Sequence, residues 1–375
     1  MSASSRKQVA IVRHRKFKYF AGAAGVSALA VAAAAGVGAL DLGGSTPSGQ
    51  DGVVHAVPQG GSIQQAVDLA KPGDTVTIPA GTFRGSVQVH TAGITIQGAG
   101  PATVITPDAQ PGSSECAKAG HGLCVTGTAG HRLTGVRIMS LSVSGFTKDG
   151  LMATETDGLL VRGVQAVGNG EHGIRQDKSV RGVFQDNTAR NNKETGIFLA
   201  NTVSEEGGAT DDAGALVSGN HVSGNRIGIT LRRLRNLTVE HNTVTDNCGG
   251  IFVVGDEGVP RAGHLTVRDN QVRANNRSCA ATPRLPVIQG AGIVLTGVEQ
   301  TTVTGNDIRD NMGTVPMSGG IVLYPSVVGI PNKGNTIERN TLKGNKTADL
   351  ADRDKGTGNV FTANTCTVSE PTGRC

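Results

Sequence analysis

From Leu159 onward the apolar and polar positions of the chain repeat one design. Apolar residues alternate, an Asn follows, a second Asn stands five places after the first, and Gly-Ile opens a further alternating run. The first Asn recurs at Asn187, Asn220, Asn242, Asn270, Asn306, Asn340 and Asn364. The second recurs at Asn169, Asn192, Asn225, Asn247, Asn275, Asn311 and Asn345, with a shortest spacing of 22 residues. Short strands at that period fit antiparallel hairpins poorly, because a reversal signal would be needed at every second strand. Stacked parallel coils satisfy it. Successive coils lie about 4.8 Å apart, so equivalent positions form ladders along a rod. The pattern predicts an all-β solenoid, a single-stranded parallel β-helix.

The Gly-Ile strand shows the inward columns. One residue past its Gly stand Leu151, Ile174, Ile197, Ile229, Ile251, Ile293 and Ile321; three past it stand Ala153, Gln176, Leu199, Leu231, Val253, Leu295 and Leu323. A period of two points both columns into the core. The Asn columns are assigned to corners, since Asn accepts tight-turn dihedrals and stacked amides bond to one another. At the N-terminal end, Ser62-Ile63-Gln64-Gln65 fits a capping box. Ile63, Ala66, Val67 and Ala70 then recur at helical spacing until Pro72-Gly73 stops the run. This helix is expected to cover the first coil, whose strand edges would otherwise pair with other chains. Strands are expected near Val76–Ile78, Val87–Val89 and Ile94–Ile96.

Ser62-Ile63-Gln64-Gln65-Ala66, then Pro72-Gly73-Asp74-Thr75-Val76, then the Asn and Gly-Ile coils resemble the pectate-lyase-like right-handed parallel β-helix superfamily, most closely its NosD-like and polysaccharide-epimerase branch. The resemblance runs from about Val54 to the C-terminus and implies a right-handed helix with a capped N-terminal end. It implies little about activity, because lyases, epimerases, hydrolases, a copper-site maturation factor and proteins of no known activity share the fold. The Asp-Pro-His-Asp signature of mannuronan epimerases is absent, so no catalytic residue is carried over.

Composition narrows the setting. The 375 residues include 55 Gly, no Trp and only 17% charged residues, as a glycine-punctuated repeat requires. The sequence pI is near 9.0, yet Arg6, Lys7, Arg13, Arg15, Lys16 and Lys18 precede any acid; without them 29 basic side chains face 30 acidic ones. The excess charge belongs to the N-terminus, which argues against nucleic acid as a partner. That segment, basic and then apolar from Phe20 to Leu40, is expected to direct export. Ala33-Ala34-Ala35 favours cleavage as a signal peptide over retention as a membrane anchor. Residues 1–40 are therefore assigned to targeting, 41–53 to a linker and 54–375 to the β-helix. Six Cys agree with an oxidising compartment, secreted or at the cell surface. Sequential pairing, Cys116 with Cys124, Cys248 with Cys279 and Cys366 with Cys375, closes three short loops.

Candidate chemistry gathers on the outer face of the Gly-Ile sheet. Long insertions at 201–214, 255–264 and 325–335 leave its strands and are expected to wall a groove. Its outward positions carry Met152, Arg175, Phe198, Thr230 and Phe252, then Thr154, Asp177, Ala200, Arg232 and Val254, and at the strand ends Glu155, Lys178, Asn201 and Arg233. Asp149, His172 and Thr195 stack just before the Gly. Gln176 breaks an apolar column, and a buried polar group without partners costs about 1 to 3 kcal/mol. The catalytic candidates are His172, Arg175, Asp177 and Arg232; the binding candidates are Asp149, Glu155, Lys178, Asn201 and Arg233. No cofactor is expected. Glu205, Glu206, Asp211 and Asp212 crowd one Gly-rich loop that offers oxygen ligands for calcium, but without ligand spacing the reading is a solvated loop. No His pair has metal-ligand spacing, and there is no phosphate loop, nucleophile elbow or zinc-protease motif. The expected function is polysaccharide or cell-envelope glycan binding along one outer sheet. The alternatives are a lyase or epimerase acting on an acidic glycan with His172 or an Arg as base, and a NosD-like metal-site maturation factor.

Overall fold

The computed structural model describes residues 52–110, 112–201, 207–283 and 285–375. Three parallel sheets run the length of the rod, with twelve, ten and eleven strands among the described residues. The Gly-Ile strands make the third sheet. Its register matches the columns read from sequence: Ile174 pairs with Ile197, Ile197 with Ile229, Ile229 with Ile251, Ile251 with Ile293 and Ile293 with Ile321. Every member of that column is wholly buried. The chain is therefore the expected right-handed parallel β-helix, with one continuous core inside it.

The Asn ladders hold two corners. Asn225 Nδ2 donates to Asn247 Oδ1 at 3.1 Å, and Asn247 Nδ2 donates to Asn275 Oδ1 at 2.9 Å. Each side-chain oxygen also accepts the backbone N–H of the preceding Asn, as Asn247 does for Asn225 at 2.9 Å. Buried corner amides are thus satisfied by copies of themselves. The ladder ends at Asp349, whose Oδ1 accepts Asn345 Nδ2 at 3.0 Å.

The N-terminal cap forms as its motif requires. Ser62 Oγ accepts the Gln65 N–H and opens α1 (Ile63–Leu69), with Ile63 and Val67 buried. Gln64 then does what a neighbouring strand would do. Its Nε2 donates to the Gln88 carbonyl at 3.0 Å and its Oε1 accepts the Gln88 N–H at 2.7 Å, closing the first strand edge of the third sheet. At the other end, the Cys366–Cys375 bridge folds the tail over so that the Arg374 guanidinium lies 4.8 Å from the Phe361 ring centroid.

All six Cys pair as expected, with Cα separations of 5.8 Å for Cys116–Cys124 and 5.9 Å for Cys248–Cys279. Both of these bridges act on the outer face of the third sheet. Cys116, on the short helix α2 (Glu115–Ala119), is tied to the strand that carries Cys124. Cys279 starts a hairpin in which Cys279 and Ile288 exchange backbone hydrogen bonds at 3.0 and 3.1 Å. This hairpin covers Phe252, Val294 and Val322, all at most 1% exposed, in a second apolar cluster outside the rod. The expected open groove along the whole sheet is corrected accordingly. Its middle coils present Met152, Thr154, Arg175 and Arg232 as half-buried side chains.

Candidate functional site

The site is built from the residue before the Gly on successive coils: His121, Asp149, His172 and Thr195. The corner rotates them off the core. Asp149 is wholly buried and its Oδ1 accepts the His172 N–H at 3.0 Å. Its Oδ2 lies 3.2 Å from His121 Nδ1 and 3.7 Å from Arg175 Nη1. Burial alone would raise this carboxyl, but the His121 hydrogen bond and the nearby imidazoles outweigh it and hold Asp149 below the usual carboxylate range. The structure thus places Asp149 beneath the site, where it orients His172 and cannot itself line a binding surface.

His172 continues the ladder. Its Nδ1 accepts the Thr195 N–H at 3.2 Å, and its ring stacks on Phe198 with centroids 4.5 Å apart and planes 6° from parallel. Burial pushes the imidazole down to about 4, with Asp149 opposing and Arg175 adding to the fall. A neutral ring that accepts at Nδ1 carries its proton on Nε2. We expect a nitrogen-detected NMR titration to find His172 as this tautomer and neutral down to about pH 4. Sensitivity to acid follows with a definite sign. The unfolded chain takes up this proton near pH 6.5 and the folded chain only near 4, so this contribution to stability is full above 6.5 and falls as pH drops between them.

Arg175 closes the cluster. Its Nη2 lies 3.3 Å from Asp177 Oδ2, and its guanidinium carbon is 5.8 Å from the Phe198 centroid. Asp177 is nearly buried, at 6% exposure, and so serves Arg175 from below.

The arrangement can be set beside known proteins. The model for the right handed beta helix region matches residues 203–325, and that for periplasmic copper-binding protein (NosD) matches residues 70–256. The two matches overlap and together run from residue 70 to 325, within the β-helix itself. Among solved structures, this β-helix is similar to the Azotobacter vinelandii mannuronan C-5 epimerase AlgE4 A-module, at 18% identity over 84% of this chain and 94% of that one, with a TM-score of 0.57. It is also similar to the periplasmic alginate epimerase AlgG, at 12% identity over 80% and 76%, with a TM-score of 0.51. The Dettilon tailspike protein matches at 16% identity over 82% and 64%, with a TM-score of 0.53. At these identities the likeness shows the fold alone. No curated protein sequence matches the chain.

The remaining candidates of this β-helix separate by position. Arg233 is held by the Asp256 carboxylate and is 11% exposed in its side chain, so it braces a loop rather than facing outward. Asn201 Nδ2 donates to the Gly208 carbonyl at 2.8 Å, within the separate insertion at 201–214. Glu155, Lys178 and Arg233 all adopt positive φ, between 49° and 54°, but so do Asp186, His241, Asp269 and Arg339 at another corner. Left-handed residues are how this rod turns, not a mark of a site. Arg232 stands two coils from Arg175 on the same face. Sequence reasoning missed His121 and Phe198 as partners. Gly122-Leu123 repeats the Gly-apolar step of Gly150-Leu151, and that signal would have placed His121 in the Asp149 column.

Among the described residues, no group of three or more His, Cys, Asp or Glu side chains is arranged to hold a metal ion. Of the four loop acids considered for calcium, Glu205 and Glu206 lie outside the described residues. Asp211 is exposed and accepts Asn236 Nδ2 at 2.7 Å. Asp212 is not part of a solvated loop, because it is wholly buried.

Proposed function

We propose that this protein is exported and binds an acidic polysaccharide, without turning it over, on the middle coils of the outer third sheet. The basic and then apolar N-terminal segment and the complete use of Cys in disulfides support export. The exposed window lies between two covers, α2 and the Cys279–Ile288 hairpin. Three coils span about 14 Å, the length of a few sugar residues. Arg175 and Arg232 provide cationic recognition of carboxylates there, and the His172 Nε2–H provides a neutral donor.

One observation carries the choice of binding over catalysis. The Thr195 N–H occupies His172 Nδ1, so the proton sits on Nε2 and the imidazole offers a donor instead of a base. The Asp149 carboxylate is sealed beneath it. The test is retention of the mature protein on immobilised alginate and polygalacturonate, with product analysis of the same glycans. Binding without new unsaturated or epimerised products is expected. Arg175→Ala is expected to weaken retention at least tenfold, while Arg339→Ala, on another face, leaves it unchanged. Turnover of either glycan, or full retention by the Arg175 variant, would overturn the proposal.

A further inference from the structure

The column that runs Ala153, Gln176, Leu199 admits one polar side chain, and that side chain has unfinished chemistry. Gln176 is 2% exposed and its Oε1 has no hydrogen-bond partner. The carboxamide crosses the interior to Gly182, where a Cβ would meet Oε1 at 2.4 Å, so the glycine makes room for it. One coil further on, Asp212 is wholly buried and neither of its carboxyl oxygens has a partner. Arg181, next to Gly182, donates its N–H to the Asp212 carbonyl at 2.8 Å, which sets Asp212 on the adjoining coil at the same corner. On the coil before Gln176, Thr156 Oγ1 at this corner is equally buried and unpartnered.

We propose that Asp212 and Gln176, with Thr156 at the edge, form an internal site for a small monovalent cation. The unpartnered atoms are all oxygens, and the carboxyl and carboxamide oxygens among them can only accept unless a proton is added. Such a set satisfies a hard cation rather than itself. Charge balance selects the valence. One carboxylate and one monovalent ion leave the site neutral, whereas a divalent ion would leave net charge in a low-dielectric interior. The surrounding charges do not supply the missing partner. Arg181 is paired with Asp157 at 2.6 Å, Asp211 is taken by Asn236, and Arg132 acts on Asp212 only through its field. Without a cation the carboxyl keeps its proton: burial raises it to about 8, with Asp211 adding and Arg132 opposing. Proton and cation therefore compete for one position.

The competition makes the site testable, and separately from glycan binding. Melting temperatures of the intact protein are compared in sodium, potassium and choline chloride at equal ionic strength, at about pH 6 and about pH 9. At the higher pH, sodium or potassium is expected to raise the melting temperature by several degrees over choline; at the lower pH the difference shrinks. Adding the effective salt to choline-buffered protein near pH 8 is expected to release protons, up to one per chain. Asp212→Asn is expected to abolish both responses, and Gln176→Met to weaken them if the Asn variant does not fold. Equal melting in all three salts at high pH overturns the proposal and leaves Asp212 a protonated core residue. So does an undiminished salt response in Asp212→Asn.

Discussion

Asn247→Ala is expected to destabilise the rod by on the order of 3 to 5 kcal/mol, more than any single change on an outer face. Asn247 is wholly buried in the middle of its ladder. Its Oδ1 accepts Asn225 N–H and Nδ2, and its Nδ2 donates to the carbonyls of Val222 and Thr245 and to Asn275 Oδ1. Alanine strips the Asn225 N–H of its partner and removes one bond each from Asn225 Nδ2, the Val222 carbonyl and Asn275 Oδ1, in a space too enclosed for easy solvation. A buried polar group stripped of its partner carries its full desolvation penalty, about 1 to 3 kcal/mol each, and partial relaxation keeps the sum below simple addition. Denaturant titration with two probes measures it and also reveals whether coils unfold together. An Ala variant within about 1 kcal/mol of the parent would show that the ladder is ornamental.

Removing the Cys248–Cys279 bridge by a double Cys→Ser change is expected to cost about 2 to 5 kcal/mol and to uncover an apolar strip. The bridge closes a loop 31 residues long, and the hairpin it anchors keeps Phe252, Val294 and Val322 from water. Released, the hairpin is expected to become a site of proteolysis near Thr282 and the strip to bind a hydrophobic dye. The Cys366–Cys375 pair is the control. It closes a loop of 9 residues at the end of the rod, so its loss should produce a smaller drop in stability and no dye binding. If the double Ser variant stays protease-resistant and dye-free, the hairpin's own packing holds the cover and the disulfide is redundant.

The sequence by itself determined whatever repeats with the coil. In a solenoid each residue's neighbours along the axis are its equivalents one period away, so the Ile174–Ile321 column, the Asn225–Asn247–Asn275 ladder and the Gly-Ile register could all be read from spacing. The α1 cap was equally local, since a capping box and a helical apolar stripe lie within a few residues. Only the tertiary structure decided what insertions do, because their paths follow no period. The long interval between Asn275 and Gly292 announces an extra segment, but nothing in it says that the segment folds back over Phe252 and Val294 and closes part of the expected groove. Alternation likewise gives no answer at corners, where the backbone rotates. There the fold sank Asp149 and Asp212 out of solvent and clamped Arg233 on Asp256, while leaving Arg175 half-exposed. Burial at such positions depends on which loops pack above them, a contact between distant segments that spacing alone does not encode.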